Sequence, residues 1–209
     1  MRISCPGFAR ILDAEGRYAL LLNRKRLEKG RRVFTPIGGA LQLYTKADMA
    51  YLIETFGASR FENGLDLRFQ APDDQEAAIK EWFRSDLGRE MREVTAGREV
   101  AEELTYEKLV NGRAILTPSD LAGVWESENF SHFCYHTAIK QDFPELGKSM
   151  LTTYIAEVYD FQFPPAIIAK MKQHPAVYFA YESEMTMKNP QTRHGDEIGD
   201  IARTILRNS

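Results

Sequence analysis

Residues 98–104 of this 209-residue chain read Arg98-Glu99-Val100-Ala101-Glu102-Glu103-Leu104. On a helix, Glu99, Glu102 and Glu103 would share one face within a single turn. Like charges at this spacing repel each other, so these glutamates add little to a purely structural helix. A hard divalent cation such as magnesium or manganese prefers oxygen ligands and would reverse the sign of that interaction. Val100 and Leu104 fall on a separate apolar stripe, which would anchor the helix.

A solvated, glutamate-rich helix face is the alternative interpretation, and the heptapeptide alone does not exclude it. The sequence around it favours a metal site. Glu90 precedes Arg98 with seven residues between them, and Pro36-Ile37-Gly38-Gly39 follows a hydrophobic strand candidate. Asp13-Ala14-Glu15-Gly16 is a turn signal that joins two further strand candidates upstream of the Gly-Gly pair.

Together these motifs resemble those of the Nudix hydrolase superfamily. Its Nudix box reads Gly, five residues, Glu, seven residues and then Arg-Glu-U-x-Glu-Glu-x-Gly-U, where U is aliphatic. Glu90 and residues 98–104 match the second part of this pattern, and residues 36–39 resemble the family's Pro-Gly-Gly turn. The chain is similar to the divergent Nudix domains that accompany bacterial cyclic-oligonucleotide antiviral signalling systems. It shares with them the segments Thr35-Pro36-Ile37-Gly38-Gly39-Ala40 and Leu67-Arg68-Phe69.

The chain also departs from the family pattern. The five residues between glycine and the first glutamate become fifty here, residues 40–89, which predicts an inserted helix, strand and helix in the catalytic loop. Ile37 interrupts Pro-Gly-Gly, and Thr105 and Tyr106 replace the final glycine and aliphatic residue. Because glycine's usual role there is conformational, its loss is expected to change the turn after the helix rather than the metal site.

The resemblance implies a role for each matched residue. Glu102 and Glu103 would be ligands of magnesium or manganese, helped by a backbone carbonyl near Gly38. Glu99 would be either a further ligand or the base that activates water, and the family does not decide between these roles.

The two remaining residues of the matched box would position the site. Arg98 and Glu90 would orient it through charge-assisted hydrogen bonds. The implied reaction is attack of water on a phosphorus of the pyrophosphate linkage in a nucleoside diphosphate derivative. The resemblance points to bacterial defence or nucleotide signalling without naming a substrate.

A basic segment, residues 24–32, leads into the Gly-Gly pair. It reads RKRLEKGRR and carries six basic residues and one acidic residue. A solvated hairpin loop is one interpretation of this composition. Steering and binding of the substrate phosphates is the other, because the segment adjoins the predicted metal site. The residues that this second interpretation assigns to substrate binding are Arg24, Arg26, Arg31, Arg32 and Gly39.

Strand and helix patterns mix along the rest of the chain. Strands are predicted at 7–12, 18–23, 33–34, 65–69, 124–139, 152–161 and 177–181. Helical patterns are predicted at residues 49–56, after Pro72 with a shared face at 78–83, from 90 to about 104, as a short turn at 117–120, after Pro164-Pro165 with apolar positions at 167–171, and at 198–205. Because this order lacks strict βαβ alternation, it favours an α/β (α+β) fold in which a mixed sheet lies between helices, in one domain over residues 1–209.

The bulk composition excludes several classes of protein. A hydrophobic content of 44% and a charged content of 27% are ordinary for a globular protein with a core. No run of eighteen apolar residues could span a membrane, and no secretory signal is recognisable. The net charge of −3 argues against nucleic acid as a partner. With only Cys5 and Cys134, in no metal-like spacing, we expect a cytoplasmic protein. The resemblance to Nudix domains implies a nucleotide-type small molecule as its partner. The oligomeric state stays open.

Some residues cannot be assigned from the sequence. His132 and His136 lie in an apolar stretch typical of a strand, so a structural or substrate-lining role is expected. Trp82 and Trp125 are expected in the core. Many Nudix enzymes use a further acid distant in sequence. The candidates for it are Glu126, Glu128, Glu157, Glu182 and Glu184.

Two functions of other classes compete with a hydrolase. The first is a Nudix-fold module that senses a nucleotide without cleaving it. The altered glycines and the long insertion support this function, and the intact three-glutamate face opposes it. The second is a nucleic-acid-binding protein that uses the basic segment, but no second basic face or recognised motif accompanies that segment.

Overall fold

The computed structural model describes residues 1–105, 113–122, 124–143 and 148–206, with the backbone alone at 125–143 and 148–149. The strands are β1 (Arg2–Ser4), β2 (Pro6–Ile11), β3 (Tyr18–Leu22), β4 (Val33–Ala40), β5 (Arg68–Gln70), β6 (Trp125–Phe143), β7 (Lys148–Gln162), β8 (Val177–Ala180) and β9 (Glu197–Ile198). The helices are α1 (Arg24–Leu27), α2 (Lys46–Phe56), α3 (Glu76–Arg84), α4 (Asp86–Glu90), α5 (Gly97–Thr105), α6 (Pro118–Leu121), α7 (Pro165–Lys172) and α8 (Glu182–Thr186). Within the described ranges, 3-10 segments cover Asp73–Gln75 and Asp200–Ile205.

The chain divides into two compact units, each built from three segments. The first consists of Met1–Gly7, Gly39–Ala96 and His132–Glu157, and the second of Phe8–Gly38, Gly97–Ser131 and Val158–Ser209. Within the part of the chain that the structure describes, no helix is long and apolar enough to cross a membrane.

The first unit is built around a mixed sheet and the inserted segment. Strand β1 pairs antiparallel with β5 and parallel with β7. The insertion supplies β5 together with α2, α3 and α4, so the predicted helix, strand and helix are confirmed. Helix α2 begins at a capping box of Thr45 and Asp48 and ends at Gly57, whose φ is 62°. These local signals explain why its bounds follow the sequence pattern.

Apolar side chains of the insertion form the core of this unit. They pack with β1 and β7 in one cluster that includes Leu52, Phe56, Trp82 and Phe83. Trp82 is therefore a core residue, as predicted. The spacing of Met49, Leu52, Ile53 and Phe56 predicts one apolar face, but Ile53 is exposed, because the buried side of the helix follows Leu52 and Phe56.

The predicted helix over residues 90–104 is wrong in its first part. Helix α4 ends at Glu90, and α5 begins only at Gly97. Between them, Arg92 forms a bridge with Leu43, and the Glu93 N–H donates to the Gln42 carbonyl at 2.8 Å. The Tyr44 N–H also donates to the Met91 carbonyl at 3.0 Å. Backbone groups on both sides of Arg92 therefore pair with a segment about fifty residues earlier in the chain, which interrupts the helix.

The second unit also contains a mixed sheet. Strand β3 lies between β4 and β8 and is antiparallel to both, whereas β9 runs parallel to β4. The predicted turn before β3 is confirmed: Gly16 has a φ of 74°, and its N–H donates to the Asp13 carbonyl at 3.0 Å. Parallel and antiparallel pairs thus occur in both units, which confirms the predicted mixed α/β class.

Three details of the second unit differ from the sequence-based expectations. Strand β4 continues through residues 33–40, so the expected turn at Pro36–Gly39 lies within a strand. The basic segment is a hairpin connection as expected, but it contains the helical turn α1, which Asn23 caps by accepting from the Arg26 N–H at 3.1 Å. The predicted C-terminal helix is instead β9 followed by a 3-10 segment, because the Gly199 N–H pairs with the Phe34 carbonyl at 2.9 Å.

Candidate functional site

Helix α5 carries the glutamate face in the second unit. Its apolar stripe is buried, with Val100 2% exposed and Leu104 0% exposed, as the sequence predicted. This anchoring fixes the rotation of the helix about its axis. The three glutamates that precede and follow Val100 therefore share the opposite, more accessible side.

Arg98 holds two of the three carboxylates. Its Nη2 lies 2.8 Å from Oε1 of Glu99, and its Nη1 lies 3.1 Å from Oε1 of Glu102. The Glu99 side chain is 15% exposed, whereas that of Glu102 is 60% exposed. The guanidinium thus offsets the repulsion between glutamates one turn apart.

Glu103 is held by the Gly-Gly segment of β4. Its Oε2 accepts a hydrogen bond of 2.8 Å from the backbone N–H of Gly38. Gly38 has a φ of 134°, which favours glycine over any residue with a Cβ. The backbone conformation at position 38 therefore explains why a glycine is found there, and this glycine contacts the glutamate face. The group that makes the contact is its N–H, whereas the sequence analysis expected a carbonyl near Gly38 to help bind the metal.

The donor set fits a hard divalent cation by its chemistry. The three side chains are carboxylates on one helix face, and oxygen ligands are those that magnesium and manganese prefer. Among the described residues, no three acidic, histidine or cysteine side chains converge closely enough to enclose a metal. In this conformation Arg98 and the Gly38 N–H engage the carboxylates, so metal binding requires the glutamate side chains to rotate.

Glu90 and Gly39 belong to the first unit. Glu90 is the last residue of α4 and is exposed, and Gly39 is a half-buried residue of β4. The predicted positioning role of Glu90 and the predicted substrate contact of Gly39 stay predictions.

Acidic side chains already engage much of the basic segment. Arg24 lies 3.3 Å from Glu28, Arg31 lies 2.5 Å from Glu197, and Arg32 lies 3.0 Å from Asp196. Over the described part of the chain, no ion pair forms with Lys25, Arg26 or Lys29, all of which are exposed. The residues of this segment that could attract phosphate without breaking an existing pair are therefore these three.

The structure separates the candidates for the distal acid. Glu157 is completely buried in the first unit and is bound by Arg92 and Arg89. Glu184 accepts from the Tyr178 hydroxyl at 2.5 Å, and Glu182 is exposed at the start of α8. The side chains of Trp125, Glu126, Glu128, His132 and His136 lie outside the described residues. The buried role of Glu157 could not be found from sequence, because its partners are 65 and 68 residues away.

Comparison with known proteins identifies the family. The family model described as the SMODS-associated NUDIX domain matches residues 1–206. No match was found among curated proteins or among solved structures. The family match extends over the glutamate helix, the Gly-Gly segment and the whole insertion, and it confirms the resemblance to Nudix domains of antiviral signalling systems. This chain therefore belongs to the family of SMODS-associated NUDIX domains.

Proposed function

We propose that this chain is a divalent-metal-dependent hydrolase that cleaves the pyrophosphate linkage of a nucleotide-type small molecule. The observation that carries the proposal is the glutamate face of α5, one member of which is hydrogen-bonded to Gly38 at 2.8 Å. We propose that the hydrolase acts in bacterial antiviral nucleotide signalling in the cytoplasm, because its family is associated with such systems.

In this proposal each residue of α5 has a separate task. Glu102 and Glu103 hold the cation, and Arg98 keeps the Glu99 and Glu102 carboxylates on the same side of the helix. The Gly38 N–H keeps the Glu103 carboxylate beside the Gly-Gly segment in the absence of metal. Magnesium bound here would neutralise phosphate oxyanions and acidify the attacking water.

Glu99 is proposed either as a third ligand or as the base that takes the proton from water. A pH–rate profile of Glu99→Gln separates these roles. If Glu99 is the base, the acidic limb of the wild-type profile disappears in the variant while its metal affinity is unchanged. If Glu99 is a ligand, metal affinity falls and the limb remains.

Substrate capture is assigned to the basic segment. Arg26 is the strongest residue for this role, because it is exposed and has no ion pair among the described residues. Arg24, Arg31 and Arg32 are proposed to contribute by exchanging their present carboxylate partners for phosphate. Arg26→Ala should therefore raise KM and reduce its dependence on salt, with little effect on kcat.

A panel assay tests the hydrolase. Mononucleotides, dinucleotides, ADP-ribose-like compounds and cyclic oligonucleotides are incubated with the protein and with magnesium or manganese, and products are identified by phosphorus NMR. Glu102→Gln and Glu103→Gln should each lower turnover by several orders of magnitude, because losing a ligand removes both water activation and charge neutralisation. Glu81→Gln is the matched control, since Glu81 is an exposed glutamate of α3 in the other unit.

A nucleotide sensor without hydrolysis is the second candidate function. It is favoured by the engagement of Glu99 and Glu102 with Arg98, which competes with a cation for the same carboxylates. Tight, salt-dependent binding of one panel compound that stays intact with both metals would replace the hydrolase by the sensor. Turnover by wild type that Glu103→Gln abolishes and Glu81→Gln preserves would exclude the sensor.

A further inference from the structure

Strand β4 separates the basic segment from the glutamate face. At the beginning of the strand, the Asn23 N–H donates to the Val33 carbonyl at 2.8 Å, so α1, which Asn23 caps, starts level with Val33. Near the other end, the Gly38 N–H donates to Glu103 at 2.8 Å. Val33 and Gly38 are five residues apart in one continuous strand, which corresponds to about 17 Å. Helix α1 and the glutamate face therefore lie at opposite ends of a strand that no single side chain can span.

The positive charge at the α1 end is not cancelled by acidic neighbours. Three acidic side chains offset three of the six cations in the basic segment. The other three, called the α1 cluster below, are Lys25, Arg26 and Lys29. All three are exposed, and within the described part of the chain no ion pair forms with them.

The backbone holds the α1 cluster together on one turn. The Asn23 side chain accepts from the Arg26 N–H at 3.1 Å, and the Lys29 N–H donates to the Arg26 carbonyl at 3.0 Å. Lys25 and Arg26 precede Lys29 by four and three residues, and like charges at these spacings destabilise a helix. The cluster therefore adds nothing to the fold, whereas a ligand with several negative groups would reverse the sign of the interaction.

The separation between the two places restricts the substrate. The two phosphorus atoms of a pyrophosphate share one bridging oxygen, so a single pyrophosphate cannot contact both the glutamate face and the α1 cluster. A mononucleotide or an ADP-ribose-like compound carries its charge at that one linkage. A single-stranded oligonucleotide carries a further phosphate at each nucleotide, and at about 3.4 Å per stacked nucleotide roughly five nucleotides cover the length of the strand.

We propose that the substrate is a short single-stranded oligonucleotide with a 5′-diphosphate or 5′-triphosphate, whose pyrophosphate lies at the glutamate face and whose later phosphates lie at the α1 cluster. This inference rests on the proposed hydrolase function and names its substrate class. In the reaction, the water oxygen bonds to one phosphorus and the bond from that phosphorus to the bridging oxygen breaks. The bridging oxygen leaves with the other phosphate group, and a proton of the water passes to solvent.

A length series of 5′-triphosphorylated oligoadenylates, from ATP to the octanucleotide, tests the proposal with magnesium present. The value of kcat/KM should rise up to about five nucleotides and then level off, because further phosphates lie beyond the α1 cluster. Arg26→Gln combined with Lys29→Gln should lower the ratio of kcat/KM for the hexanucleotide to that for ATP about tenfold. The matched control is Lys46→Gln combined with Arg60→Gln, which removes one exposed lysine and one exposed arginine of the first unit and should leave this ratio unchanged.

Binding in EDTA separates this inference from the hydrolase proposal, because no turnover is needed. Fluorescence anisotropy gives the Kd of the 3′-labelled hexanucleotide as a function of salt. The double variant of the α1 cluster should lower the slope of log Kd against log salt by about 1.4, since each phosphate contact to a single strand contributes about 0.7. An unchanged slope, or equal kcat/KM for ATP and the hexanucleotide, would overturn the inference and leave the hydrolase intact. Absence of turnover at every length together with the expected fall in slope would refute the hydrolase and support the oligonucleotide contact.

Discussion

Replacing Glu157 by glutamine tests whether this buried acid is structural or catalytic. Its Oε2 accepts from Nη1 of Arg92 at 2.9 Å, and its Oε1 accepts from Nη2 of Arg92 at 2.9 Å and from Nη1 of Arg89 at 2.8 Å. Glu157 and Arg92 are both 0% exposed. The guanidinium of Arg92 also lies 3.7 Å from the centroid of Phe83, so it cannot move into water without opening the core.

The glutamine variant leaves the Arg92 guanidinium buried without a counter-charge. Breaking a buried pair by removing one partner costs about 3–5 kcal/mol of unfolding free energy. For a chain of this size, that loss corresponds to about 6–20 °C in melting temperature. The double variant Arg92→Met with Glu157→Leu should recover part of the loss, because the uncompensated charge is then absent. Recovery stays partial, since the Phe83 carbonyl loses the 2.8 Å hydrogen bond from Arg92.

Urea denaturation of wild type, Glu157→Gln, the double variant and the exposed control Glu81→Gln measures these differences. A structural role is refuted if Glu157→Gln unfolds within about 1 kcal/mol of wild type, a range that surface substitutions reach. If stability is retained and metal-dependent turnover is lost instead, Glu157 is the distal acid of the site.

Three further predictions concern the second unit. Magnesium should raise the melting temperature of wild type and of Glu81→Gln but not of Glu103→Gln, because a cation bound only by the folded chain stabilises it; an equal response in all three removes Glu103 from the ligand set. Gly38→Ala should lower both stability and metal affinity, since a φ of 134° strains any residue with a Cβ; an unchanged melting temperature would contradict this. The folded-state pKa of Asp13, about 2, lies below its ordinary value of 3.8. Its ionised form therefore contributes about 2 kcal/mol above pH 4, which is lost as the pH falls towards 2. Asp13→Asn removes the carboxylate that Arg17 and Lys172 contact at 2.8 Å, so it should flatten the plot of unfolding free energy against pH between pH 4 and pH 2. An unchanged slope would contradict this prediction.

Features that depend on neighbouring residues could be predicted from the sequence. The spacing of Glu99, Glu102 and Glu103 places them on one helix face wherever α5 packs, and Val100 and Leu104 determine which side is buried. The short helix after Thr117 follows from its capping box with Asp120. Caps and periodicity act within about one turn, so they predict an element and its orientation without knowledge of the fold.

Features that depend on distant partners were decided by the tertiary structure alone. The helix is interrupted after Glu90 because the Glu93 N–H and the Met91 carbonyl pair with the segment around Gln42, and Glu157 can be buried because the fold brings Arg92 to it. The contact between Gly38 and Glu103 joins residues 65 positions apart. Each of these interactions involves groups that have several possible partners in the sequence. Burial requires each of these groups to have a partner, because an unpaired buried donor or charge is too costly. The path of the chain then decides which of the possible partners lies within hydrogen-bonding distance.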